Sequence, residues 1–119
     1  MAKINPLASI EDWQKAWEAQ KADNADSLLI FKRSPICPTS HFVEGVFTRF
    51  VDALPDSPLR IVSVDVIGAR PVSQQIAKDT GVRHESPQAI LIRAGQKIAW
   101  HASHECVDDE ALEKNLAAK

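Results

Sequence analysis

The chain has 119 residues, 45% hydrophobic and 25% charged, with 14 basic and 16 acidic side chains and a net charge of −2. That composition suits one soluble globular domain that folds without disulfide or metal staples. No basic stripe suits a nucleic-acid partner, and no apolar run approaches the roughly 20 residues needed to span a membrane.

Ser9-Ile10-Glu11-Asp12 reads as a capping box, and Ile10, Trp13, Ala16 and Trp17 fall at helical spacing, predicting a helix over 10–21. Ser27 to Lys32 is short and almost continuously apolar, the mark of a strand buried on both faces. Pro35 and Pro38 punctuate a turn. Apolar residues at 42, 43, 46, 47, 50, 51 and 54 then form a wide helical stripe that stops before Pro55. Arg60 to Val66 is β-branched and reads as a second buried strand. Pro71 suits the first turn of a helix and Gly81 its stop. Ile90–Arg93 and Lys97–Trp100 flank Ala94-Gly95-Gln96 as a hairpin, and Asp108 to Ala117 forms a last helix with acid at its start. The first two strands, joined through a helix, should be parallel, and the last two antiparallel. The order predicts an α/β fold over residues 1–119 with a mixed four-stranded sheet flanked by helices.

Residues 1–26 lack the apolar core of a signal peptide, so a reducing, cytoplasmic setting is expected. There Cys37 and Cys106 are poor candidates for a permanent bridge, leaving inert thiols, metal ligands or redox groups. The four histidines and two cysteines match no finger or ribbon spacing, so no metal site is expected.

Ser34-Pro35-Ile36-Cys37-Pro38-Thr39-Ser40 lies between a buried strand and a helix, where α/β sheets tend to place their chemistry. Cys37 falls at or beside the N-cap and Pro38 suits N1. Backbone N–H groups and the helix dipole should favour a thiolate there. Lowering a thiol pKa from about 8.5 to about 6.5 raises the thiolate fraction at pH 7 roughly 25-fold. Intrinsic nucleophilicity falls roughly 8-fold with it, so attack gains only about 3-fold. The larger gain is that such a thiolate leaves a mixed disulfide easily. Ser40 stands where a dithiol protein keeps its resolving cysteine; it also suits an N3 capping residue.

These motifs resemble the monothiol bacilliredoxins, which are thioredoxin-like. The resemblance rests on Phe31-Lys32-x-Ser34, Cys37-Pro38-x-Ser40, Arg70-Pro71-Val72-Ser73, His84-Glu85-Ser86-Pro87-Gln88 and Trp100-His101-x-Ser103-His104. It implies a thioredoxin-like fold in which Pro87 is cis and lies beside the sulfur of Cys37. It also implies an oxidoreductase that removes bacillithiol, or a similar low-molecular-weight thiol such as glutathione or coenzyme A, from S-thiolated client proteins. The small thiol would be a co-substrate, with no bound cofactor. Cys37 matches the reactive cysteine, supported by Pro38, Ser40 and Pro87. Ser86 and Asp108 are candidate substrate contacts. Glu105-Cys106-Val107-Asp108-Asp109 departs from the family and looks like a glutaredoxin Cys-Asp-Asp patch. Cys106 is thus either a semi-resolving thiol or a half-buried cysteine beginning a helix, and Asp108 is most simply that helix's N-cap.

Lys32 and Arg33 either stabilise the Cys37 thiolate or are solvated at a strand end, and His41 either tunes the thiol or is a solvated helix residue. Trp13, Trp17 and Trp100 suit the core, for at least two of the three, better than a binding platform. The competing function is a non-catalytic thioredoxin-fold protein-binding module that grips an extended peptide in the groove beside Pro87.

Overall fold

The computed structural model describes residues 4–54, 59–104 and 107–117. The elements run β1 (Ile4–Pro6), α1 (Ile10–Ala19), β2 (Leu28–Arg33), α2 (Pro38–Ala53), β3 (Arg60–Asp65), α3 (Arg70–Thr80), β4 (Gln88–Arg93), β5 (Lys97–Ser103) and α4 (Asp109–Leu112). A π-helical stretch, Glu113–Ala117, continues α4. The strands form one mixed sheet in the order β1-β3-β2-β4-β5. β2 is parallel to β3, and β4 is antiparallel to both β2 and β5.

The sheet therefore has five strands rather than the expected four. The extra one, β1, is a three-residue edge strand parallel to β3. Asn5 and Pro6 hide it from a pattern search, and proline is tolerated there because an edge strand needs only one side of its ladder.

Alternation along β2 builds the two core layers. Leu28 and Ile30 face Trp13 of α1 and Val72 and Ile76 of α3. Leu29 and Phe31 face Val43, Phe47 and Val51 of α2 and Leu112 of α4. The Phe31 and Phe47 rings stack with centroids 4.4 Å apart. Phe42, counted in the apolar stripe of α2 by its spacing, is instead 68% exposed. It lies near the N-terminal end of α2.

Local chemistry fixes the ends of the helices. Ser9 Oγ accepts from the Asp12 amide at 3.1 Å, and Asp108 Oδ1 accepts from the Ala111 amide at 2.9 Å. Gly81 closes α3 at φ 74°, a left-handed conformation that glycine adopts without a Cβ penalty. Trp13 is fully buried, stacks on Trp17 at 5.4 Å and donates from Nε1 to Asp79 Oδ2 at 2.8 Å, which ties α1 to α3. Trp17 and Trp100 are partly buried against the core, so the three tryptophans form no shared platform. Among the described residues no helix is long and apolar enough to cross a membrane.

Trp13→Ala should cost about 3–5 kcal/mol, because it leaves a large cavity and removes one of the two hydrogen bonds to the Asp79 carboxylate. Urea unfolding should show a lower midpoint with an unchanged slope.

Candidate functional site

The register of β2 gathers the site. Arg33 pairs with Asp65, the last residue of β3, and Lys32 pairs with Gln88, the first of β4. The segments 34–37, 66–69 and 81–87 therefore meet at one edge of the sheet. The His104 amide donates to the Pro87 carbonyl at 2.8 Å, which brings the end of β5 to the same edge.

Cys37 is the N-cap of α2 and Pro38 follows it in the first turn, as the sequence predicts. The sulfur makes no capping bond, and Cys37 is a half-buried free thiol. Two bonds brace its loop. Ser40 is fully buried, and its Oγ accepts from the Ser34 amide at 2.8 Å. His41 Nε2–H donates to the Pro35 carbonyl at 2.7 Å. Ser40 thus closes the loop ahead of the helix instead of capping the helix itself. His41 ties back across the Cys37 turn. Ile36, 78% exposed, and Phe42 leave apolar surface on either side of the thiol.

The Ser86–Pro87 peptide bond is cis. Ser86 Oγ and Gln88 Oε1, on either side of Pro87, are buried and have no hydrogen-bond partner among the described residues. Cys106 lies outside the described residues, so its relation to Cys37 is not described. Asp108 is the N-cap of α4.

The two cations ahead of Cys37 are engaged elsewhere. Arg33 Nε donates to Glu44 Oε2 at 3.0 Å, and Arg33 Nη1 lies 3.9 Å from Asp65 Oδ2. Lys32 is fully buried, which corrects the reading of it as solvated. Its Nζ donates to the Ser73 carbonyl at 3.1 Å and to His84 Nδ1 at 3.3 Å. Burial lowers the Lys32 pKa to about 8. Burial, then the Lys32 charge, lowers that of His84. Sequence reasoning missed this cluster. Its only signal was a lysine at the end of an otherwise apolar strand, at a position that alternation assigns to the α3 face.

Across the same edge, Glu85 pairs with His104 at 3.1 Å. A hydrogen bond from Ser103 is the chief cause holding the Glu85 pKa below its usual value. Asp65 Oδ1 accepts from the Gly68 and Ile67 amides, each at 2.9 Å, which lowers its pKa and knits the β3–α3 turn. A Cβ at Gly68 would lie 3.0 Å from Asp65 Oδ2 and would press on that carboxylate.

A family model described as monothiol bacilliredoxin BrxC matches residues 5–112. Among solved structures, a protein with a thioredoxin fold superposes with a TM-score of 0.75 at 24% identity, over 94% of this chain and 92% of its own. Thioredoxin NaTrxh from Nicotiana alata gives 0.74 at 17% identity, over 98% and 91%. Mitochondrial thioredoxin 3 from Saccharomyces cerevisiae gives 0.69 at 22% identity, over 98% and 95%. These likenesses establish the thioredoxin fold.

The buried lysine makes stability depend on pH. Below pH 8 both states hold its proton and its contribution is flat. Between pH 8 and the ordinary value of 10.5 the unfolded chain keeps a proton that the folded chain has lost. Stability should therefore rise with pH across that window, by up to about 3 kcal/mol. Urea titrations at pH 8 and 10 should show the rise in the wild type and its loss in Lys32→Met.

Proposed function

Because the chain belongs to the monothiol bacilliredoxin family, we propose that it removes bacillithiol, or a similar low-molecular-weight thiol, from S-thiolated proteins through Cys37. The observation that carries this reading is the Cys37 loop. A free, partly accessible thiol heads α2 at the sheet edge, and the side chain three residues on is a buried hydroxyl already committed to Ser34. A hydroxyl cannot complete an internal disulfide.

The exchange runs in two displacements. The Cys37 thiolate attacks the small-thiol sulfur of the mixed disulfide. The bond from that sulfur to the client breaks, and the client leaves as a thiolate that takes up a proton. Cys37 now carries the small thiol. A second thiol from solution attacks the small-thiol sulfur, Cys37 departs as thiolate, and the two small thiols end as a disulfide. No bound cofactor is required, because thiols supply both electrons.

The chain's own residues support each part. Pro38 and the Ser40 bond fix where the sulfur sits, and Ile36 and Phe42 offer apolar contact to a client surface. Ser86, whose buried hydroxyl has no partner among the described residues, would meet the bound disulfide only if the segment ahead of Pro87 shifts to expose it. Asp108, whose side chain already caps α4, is a weaker candidate for a substrate contact.

Cys37→Ser should abolish release of the small thiol from a thiolated model protein, followed by intact mass. Ser40→Ala should keep most of the turnover while losing about 1–3 kcal/mol of stability, because it strands the buried Ser34 amide. Cys106→Ser should change turnover little, since the external route needs no second cysteine. Undiminished transfer by Cys37→Ser would leave the peptide-binding module in place of the enzyme.

A further inference from the structure

A cavity of about 130 Å³ opens beside the β3–α3 turn, lined by Val66, Ile67, Arg70, Ser73, Gln74 and His84. Among the described residues no acidic side chain lines it. Directly behind Ser73 and His84 lies the buried Lys32 ammonium. Among the described residues, no carboxylate pairs with Lys32 or Arg70. The nearby acids are bonded elsewhere, Asp65 to the Ile67 and Gly68 amides and Arg33, and Glu85 to Ser103 and His104, although the Glu85 charge also acts on His84.

A buried cation with no counter-charge is costly, and an anion in the adjoining cavity would offset that cost. The donors are in place. Arg70 carries a planar fork suited to a carboxylate. An ammonium can only donate, so while Lys32 is charged His84 Nδ1 accepts from it and from the Ser73 hydroxyl 3.0 Å away, and the neutral ring carries its proton on Nε2. Gln74 adds an amide. The walls come from the segments after β3 and before β4, the two neighbours of β2. The cavity therefore opens at the same end of the sheet as the Cys37 loop, on the face that α3 covers.

We propose that this cavity is a carboxylate-binding site and that it holds an acidic end of the small thiol while its sulfur exchanges at Cys37. The second half rests on the reading of Cys37 as the exchange thiol; the first does not.

Two measurements separate these halves. Succinate titrated into the full chain should shift the His84 ring and Arg70 side-chain NMR signals. Arg70→Gln should weaken that binding about tenfold or more, the usual loss for a charge-assisted hydrogen bond. Arg49→Gln, an equal charge change on α2, should leave it unaltered. No shift with succinate, or a response to inorganic phosphate alone, overturns the site. In the second measurement the reduced protein meets glutathione disulfide, whose carboxylates stand several bonds from the sulfur, or the same disulfide with its carboxylates esterified. The rate ratio should favour the acidic disulfide, fall about tenfold in Arg70→Gln and shrink with added salt. A ratio unchanged in Arg70→Gln overturns the link to exchange. If Cys37 reacts with neither disulfide, the exchange reading fails, while the succinate titration still decides the cavity.

Discussion

Strand β2 is hydrogen-bonded to β3 on one side and to β4 on the other, and every residue from Leu28 to Lys32 is buried. A strand held in this way cannot slip by one residue without moving Phe31 out of one core layer and Ile30 out of the other. That register sets where Arg33 ends, and from there only three residues lead to Cys37. The Ser34–Ser40 hydrogen bond then closes the loop over that short span. The position of the thiol is thus inherited from the most buried part of the molecule, although the thiol itself lies at the edge.

The same strand carries a conflict. Its last buried side chain is an ammonium where alternation asks for an apolar residue, and desolvation pulls that group towards neutrality at pH values not far above 7. The contacts to Ser73 and His84 engage two of its three N–H donors but bring no negative charge. A core that needed only stability would do better with a methionine there. The lysine makes sense beside a cavity that an anion enters, with Arg70 on its open side.

Much of this was legible in the residues. Continuous apolarity marked β2 and β3, the Gly81 stop and the Pro71 start bounded α3, and Asp108 announced α4. Cys37-Pro38 at a strand-to-helix junction located the thiol, because proline at N1 and a polar N-cap are local signals that need no tertiary information. Three things were not legible. β1 is too short, and too interrupted by Pro6, to give a period. Phe42 follows the helical stripe yet is exposed, since periodicity reports a face and not what covers it. Lys32 looked like a strand-end cation because chain position cannot reveal that α3 roofs it. The Ser40 hydroxyl fell between: its place in the motif was plain, but its bond back to Ser34 depends on how the loop closes.

The most direct test of the account is a single-turnover transfer followed by mass. Reduced protein is mixed with one equivalent of a bacillithiolated client and no other thiol, quenched by acid and resolved by intact mass and peptide mapping. The account predicts that the client loses one small-thiol increment while the peptide bearing Cys37 gains it. A client that keeps its adduct, or an increment that maps to Cys106, would contradict it.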